Sequence, residues 1–476
     1  MSNQNASQKQ TLIMKFGGTS VGDTRAMLQV AQIVQDAKQD WKNVVVVTSA
    51  MAGVTNFLLN MVDTAINGDK AQIDQALVEL RERHLEVLNN IPLDEAEAAK
   101  TTAELDALLT DLKETCKAIM ILREASPRTW DAVASMGERL AVRVLAAVLS
   151  SRQIKACAID SSRIVITDDC FQNAQPDFEA TRAKAQELLV PMLAEQCTPV
   201  VTGFIGATPE GVITTLGRGG SDYSAAILSS VLDANDVWIW TDVDGVMSAD
   251  PRLVDNAATI PELTFREVAE LAYYGAKVLH PKTIRPIIES EIGLRVCNTF
   301  NPSHPGTRLV NSRDFRKGTI KAVTAIRDLD LLSIEGRGML GVPGVAARTF
   351  NAIAETGTSV PMITQSSSEQ TITFAVPQKS SARVVAALEK TFANEIKRRD
   401  IDGIYKTESA AIVTVVGAGM AQTAGISGKV FNALGSAGVN VIAIAQGSSE
   451  VSISLVVKEH DIKNALLAIH NLIVND

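Results

Sequence analysis

Hydrophobic and polar positions follow one rule up to about residue 310 and another beyond it. In the first stretch, short unbroken apolar runs alternate with longer segments whose apolar residues recur at helical spacing. Thr11-Leu12-Ile13-Met14, Val44-Val45-Val46-Val47, Val200-Val201-Thr202-Gly203-Phe204 and Asp236-Val237-Trp238-Ile239-Trp240 are such runs, each ending in small or polar residues. Strands buried on both faces read this way, so the pattern predicts an α/β fold whose parallel sheet carries helices on both sides. Between about 57 and 150 the strand signal gives way to an almost wholly helical one. Ser126-Pro127 supplies a cap and a first-turn proline before Trp130-Asp131-Ala132-Val133. We therefore expect a polar, disordered stretch at 1–10, then an α/β domain at 11–310 with a helical insertion at 57–150.

The last third is an internal repeat. The stretch beginning GRGMLGVPGVAARTFNAIAETG at Gly336 returns as GAGMAQTAGISGKVFNALGSAG at Gly417, at a constant offset of 81 that also relates Phe350 to Phe431 and Gln365 to Gln446. Each copy reads strand, glycine turn, helix, strand, turn, strand, which predicts two small modules, at 320–398 and 405–474. Gly336, Gly338 and Gly341 also spell the G-x-G-x-x-G of a dinucleotide site. The following strand ends at Gln365 instead of an acid for a ribose hydroxyl, and the second copy has Gln422 in place of the third glycine. A repeated tight turn is the preferred reading.

Composition narrows the class. With 46% hydrophobic and 21% charged residues, the 476-residue chain can bury several ordinary cores, two to four domains by length. A net charge of −9 and the lack of a basic stripe argue against nucleic acid. Five scattered cysteines, with no C-x-x-C, fit a reducing compartment and no structural zinc. No run of eighteen apolar residues offers a membrane span, and the polar N-terminus has no secretory core, so a cytoplasmic enzyme is the expectation.

Candidate chemistry clusters at strand ends. In KFGGTS, Lys15 with Gly17 and Gly18 brings an ammonium and two close-approach amides to a strand-to-helix turn, a phosphate-like environment. Its order is not that of the G-x-x-x-x-G-K-[ST] loop, which occurs nowhere in the chain. LGRGGSDYSA offers the fork of Arg218 and the carboxylate of Asp222 just before a helix. WTDVDGVMSADPR carries Asp242, Asp244 and Asp250 without the spacing of a calcium loop. Glu138, in ASMGERLAV, lies on an apolar helix, and Lys277, in GAKVLHP, reads as a helix-end cation.

Taken together, KFGGTSV, VVTSAMAGVTN, SMGERLA, LGRGGSDYSA, TDVDGVMSADPR and GAKVLHP stand in the order and spacing of the aspartate kinases, and the chain resembles that family over nearly its whole length. The resemblance implies the amino-acid kinase three-layer α/β/α sandwich followed by two ferredoxin-like βαββαβ (ACT) domains. It implies transfer of the ATP γ-phosphoryl group, with Mg²⁺, to the β-carboxylate of L-aspartate. By that resemblance Lys15 reaches the transferred phosphoryl group, with Gly17 and Gly18 facing phosphate, and Asp222 orients the lysine near the metal. Glu138 takes the aspartate amino group, Arg218 a carboxylate, and Ser49 and Thr55 line the same pocket. Thr241, Asp242, Met247, Arg252 and Lys277 match the nucleotide side, although many relatives carry an aromatic residue where this chain has Met247. Direct metal ligands are left unassigned.

A carboxylate nucleophile is already ionised at pH 7, so positioning and charge neutralisation suffice without a general base. The resemblance also implies feedback control, with homodimers through the ACT domains that can pair further into tetramers. We expect threonine as the effector, held at Gln365 and Gln446 with Gly344, Val345 and Ala346 gripping its backbone. The amide of glutamine suits a small hydroxyl amino acid, and Pro361 stands where lysine-sensitive relatives place an acid. The rivals are a lysine-regulated aspartate kinase, a non-catalytic amino-acid sensor and a dehydrogenase using GRGMLG. With the sequence ending at Asp476, we expect no fused homoserine dehydrogenase.

Overall fold

The computed structural model describes residues 9–274, 279, 281–310, 319–339, 342–366, 370–447 and 449–474. The chain divides into two compact units: one contains residues up to 246 with 261–265 and 279–310, the other contains 247–260, 266–278 and the residues after 310.

In the first unit the described strands are β1 (Lys9–Phe16), β2 (Trp41–Thr48), β3 (Ala156–Ile159), β4 (Thr198–Thr202), β5 (Ile205–Ala207), β6 (Ile213–Thr215), β7 (Asp236–Thr241), β8 (Glu262–Thr264), β9 (Gly293–Asn298) and β10 (Thr307–Val310). Eight form one sheet in the order β3-β4-β2-β1-β7-β9-β10-β8, while β5 and β6 make a separate antiparallel ribbon. All neighbours in the large sheet are parallel except β9 and β10.

The apolar runs explain this sheet. Leu12 to Met14 and Val44 to Val47 are buried on both faces. Leu12, Met14, Val44 and Val46 pack with the helices between β2 and β3, and the alternate residues face the helix Gly220–Val231. Helices cover the stretch after β2: Val54–Asn67, Lys70–Asn89, Glu95–Leu122, Pro127–Ala134 and Met136–Ser151. Ser126 caps the fourth of these, its hydroxyl accepting from Thr129 N at 3.3 Å with Pro127 in the first turn. The result is the three-layer α/β/α sandwich. Its central strand β1 is flanked by β2 on one side and β7 on the other, a topological switch point that opens a crevice at the strands' carboxyl ends.

The second unit holds the repeat. Its strands are β11 (Ala322–Glu335), β12 (Met362–Gln365), β13 (Thr371–Pro377), β14 (Gly403–Val416), β15 (Ala443–Gln446) and β16 (Ser452–Lys458), ordered β12-β13-β11-β14-β16-β15. The 81-residue offset relates β11 to β14, β12 to β15, β13 to β16, and the helix Val345–Glu355 to Ile426–Ser436. The long strands β11 and β14 are each used twice. Residues 329–335 start the first module and 403–407 complete it, whereas 410–416 start the second and 322–326 complete it. The register shifts near Leu329, where one role passes to the other. The fourth strand of the second module thus lies ahead of the whole first module, outside the 405–474 expected for it. Antiparallel pairing of two equivalent 14-residue strands makes this exchange the way to complete both ferredoxin-like sheets.

Each module has its own core, around Phe374, Val384 and Leu388 in the first and Val413, Leu455 and Leu466 in the second. A third cluster, including Leu329, Met362, Ile412 and Val456, lies on the other face of the sheet. Two stretches expected in the catalytic region pack with this unit. Ala249 and Val254 enter the second core, and the buried carboxylate of Glu267 pairs with Lys321 at 3.1 Å and accepts Ala418 N at 2.7 Å.

Candidate active site

The crevice of the first unit contains a cavity of about 360 Å³ lined by Lys15, Gly18, Ser49, Thr55, Glu138, Arg218 and Asp222, with Phe204, Ser221 and the 50–53 and 217–220 turns. Six of the expected site residues and one of the two lysine-turn glycines therefore meet at one place. Lys15 leaves the end of β1, the strand most deeply set in the sheet, and its Nζ lies 2.5 Å from Asp222 Oδ1. Both side chains are largely buried, at 11% and 16% exposure, so their attraction is little screened by solvent.

Two helices point their N-termini at this cavity. Val54–Asn67 begins after Gly53, at φ +81°, and presents Thr55; Gly220–Val231 begins after Gly219, at φ +73°. Each brings the positive end of its dipole, which favours anions. The glycines of LGRGG are required by the backbone. Gly217 and Gly219 are left-handed, and a Cβ on Gly220 would meet the Phe204 ring at 2.6 Å. Arg218 stands exposed between them at the cavity mouth.

Glu138 is the electrostatic exception. It is 3% exposed, its Oε2 has no hydrogen-bond partner among the described residues, and burial pushes its carboxyl from 4.5 up to about 8. An orphan carboxylate oxygen aimed into a polar cavity is a ready acceptor for an ammonium.

One expectation needs correction. Gly17 does not face the cavity: its amide donates to Trp240 O at 3.1 Å, tying β1 to the end of β7, so of the two glycines only Gly18 lines the cavity. A backbone group at the end of a central strand is claimed by the neighbouring strand first. Phe204 and Ser221 were missed by sequence reasoning. Phe204 carried a signal only in the structure, a φ of +68° that is strained for an aromatic residue, held by Ser224 Oγ on its amide at 2.9 Å.

Of the residues expected to meet the nucleotide, Thr241 ends β7 and donates to Asp242 Oδ1 at 3.2 Å, and its carbonyl accepts Thr299 N at 2.8 Å. Asp244 secures the loop by accepting from Asn298 and Asn301, at 2.9 and 3.0 Å. Met247 and Arg252 belong to the second unit, where the guanidinium of Arg252 is forked onto Asp250 at 3.0 and 2.7 Å. Lys277 lies outside the described residues.

Among the described residues no group of three His, Cys, Asp or Glu side chains could hold a metal by itself.

The second unit has a cavity of about 400 Å³ lined by Met339, Val342, Pro343, Gly344, Val345, Ala346, Gln365 and Ile372. It gathers four of the five expected effector residues. Gln446 lies at the equivalent end of β15, exposed and not part of this lining. The dinucleotide alternative fails here on space. A Cβ on Gly336 or Gly338 would meet backbone atoms of Asp400 or Ile401 at 2.4 to 2.6 Å, and Gly338 N donates to Asp400 O at 3.0 Å. These glycines serve close packing of chain on chain.

A cavity that is electropositive at its rim and holds an ionisable carboxylate at its base can bring two anions together beside one cation. The Amino acid kinase family model matches residues 10–298, and the ACT domain model matches 332–392 and 413–472. The chain belongs to the amino acid kinase family and, within it, to the aspartate kinases. It is 34% identical to aspartokinase 1 of Arabidopsis thaliana over 97% of this chain and 79% of that protein. It is 37% identical to the bifunctional aspartokinase/homoserine dehydrogenase 1 of Zea mays over 96% of this chain, but spans only 50% of that relative. Both plant proteins are described as chloroplastic. Aspartokinase III of E. coli, solved with aspartate and ADP, superposes with a TM-score of 0.80 at 30% identity, covering 97% of this chain and 99% of the other. The same enzyme solved with lysine and aspartate gives 0.77. Among the described residues no helix is long and apolar enough to cross a membrane.

Proposed function

We propose that the protein transfers the γ-phosphoryl group of ATP to the β-carboxylate of L-aspartate. The observation that carries this reading is the cavity that unites the Lys15–Asp222 pair, Arg218 and the Oε2 of Glu138, which has no partner among the described residues. Glu138 receives the substrate's amino group, Arg218 a carboxylate by its planar fork, and Ser49 and Thr55 close the pocket around them. Lys15 neutralises charge on the transferred phosphoryl group, Asp222 holds its ammonium in place, and the amides at the two helix N-termini add fixed dipoles. Asp222 would hold Mg²⁺ together with the nucleotide, and the ion would offset phosphate charge. No proton needs removing from the nucleophile, so the reaction requires no general base. The E. coli enzyme's capture with aspartate and ADP supports the same pair of ligands here.

The second-unit cavity is the effector site in this reading, and threonine is its ligand. Gly344, Val345 and Ala346 supply amides at a helix N-terminus for a carboxylate, and Gln365 offers a donor and an acceptor to a hydroxyl. Among the described lining residues there is no acid to neutralise a lysine ε-ammonium, although the E. coli relative was solved with lysine. Subunits associate through the ACT modules, with Gln446 taking part from the equivalent position of the second. Aspartate, ATP and Mg²⁺ with hydroxylamine form the test: a trapped aspartyl hydroxamate is expected, and its absence beside an active control refutes the assignment.

A further inference from the structure

Asp131 lies on the helix Pro127–Ala134, only 1% exposed and outside the lining of the active-site cavity. Its Oδ2 accepts the backbone N–H of Gln172 and of Thr215, each at 2.9 Å, and its Oδ1 accepts the Thr215 hydroxyl at 2.8 Å. A buried carboxylate needs such donors, and buried donors left without an acceptor are equally costly, so the three bonds fix both sides.

The donors belong to the segments that build the Arg218 loop. Thr215 ends β6, its carbonyl accepts Ala174 N at 2.9 Å, and the next amide, Leu216 N, donates to Phe204 O at 2.9 Å. Gly217 then turns tightly against the other segment, where a Cβ would meet Gln172 O at 2.9 Å. Gln172 and Thr215 are thus the floor on which Gly217, Arg218 and Gly219 rest. On its other side, the helix of Asp131 passes through Ser135 into Met136–Ser151, which carries Glu138. One carboxylate joins the helix pair presenting Glu138 to the loop presenting Arg218.

We propose that Asp131 is a positioning residue for the amino-acid substrate: it sets the separation between Glu138 and Arg218 without touching the substrate. This rests on the reading of those two residues as the substrate's partners. A bridge of this kind acts on how well a two-ended ligand fits, and leaves the Lys15–Asp222 pair in place.

Asp131→Asn keeps the shape and an oxygen for the two backbone N–H groups, but it loses the charge that strengthens those bonds, and its NH₂ replaces the acceptor of the Thr215 hydroxyl. With the full-length protein, the aspartate KM is expected to rise about tenfold or more, with kcat within about threefold and the ATP KM unchanged. Thr215→Val, which keeps the amide and loses the hydroxyl, gives a smaller rise, and Thr215→Ser restores the wild-type KM. Hydrogen exchange without substrate supplies a second readout: amides of 213–222 exchange faster in Asp131→Asn, while those of β2 do not. A folded Asn variant with wild-type aspartate KM overturns the proposal, as does a loss confined to kcat and soluble yield with unchanged exchange at 213–222. If the wild type forms no aspartyl hydroxamate, the functional reading fails by itself, and the exchange result still decides whether Asp131 holds the loop.

Discussion

Replacing Glu138 by Gln should make the empty protein more stable at alkaline pH while removing its grip on aspartate. Burial raises this carboxyl from 4.5 to about 8, because ionising it in the cavity base strands a charge whose Oε2 has no described partner. Between those two pH values the unfolded chain has released the proton and the native chain retains it. The native state then binds more protons, so stability falls as pH rises through the window. At about 1.4 kcal/mol per pH unit the ceiling is about 5 kcal/mol; relaxation and water entry reduce the expected effect to about 2–3 kcal/mol. Glutamine does not titrate and escapes the loss. The four tryptophans, Trp41, Trp130, Trp238 and Trp240, all lie in the first unit, so their fluorescence in urea reports that unit alone. Between pH 5.5 and 8.5 the wild type should lose stability relative to the variant, and aspartate should restore it for the wild type only. Equal differences at the two pH values would falsify the account of a stranded charge.

Lys15→Ala should lower kcat by about 10²–10³ with a folded protein, since it removes the cation aimed at the transferred group; near-normal turnover rejects that role. Arg218→Ala should chiefly raise the aspartate KM, and an effect on the ATP KM alone would reassign the fork to nucleotide. Gln365→Ala should weaken threonine inhibition by about tenfold or more in titrations with threonine, lysine and methionine; unchanged threonine sensitivity rejects the site, and lysine acting alone rejects the ligand. His84, buried with Nδ1 at 2.7 Å from Leu80 O, has its pKa pushed down by burial from 6.5 to about 4. The unfolded chain alone takes up that proton below pH 6.5, so stability is lost as pH falls toward 4. His84→Gln should flatten this part of the acid profile, and an unaltered profile refutes it.

Local rules carried much of this protein. Apolar runs with helical spacing between them specify an α/β sandwich, because a strand buried on both faces leaves no other pattern, and a constant offset of 81 residues specifies two like modules. Short glycine-rich turns at strand ends marked Lys15, Arg218 and Asp222, which the structure brings into one cavity lining. What remained hidden depends on partners distant in the chain. Gly17 looks like Gly18 until β7 brings Trp240 O to its amide, and Phe204 looks like a core residue until its left-handed backbone turns it into the cavity. Asp131 reads as one more helix polar residue until Gln172 and Thr215 arrive from 41 and 84 positions away. The sharing of β11 and β14 between modules is equally invisible in the repeat, because either strand could pair within its own copy. Periodicity and the repeat thus determined the elements, and the ordered motifs pointed through their resemblance to a kind of chemistry. Only the tertiary structure decided which donors meet which acceptors, because a hydrogen bond depends on the positions of both partners and the sequence pattern around each reports only one.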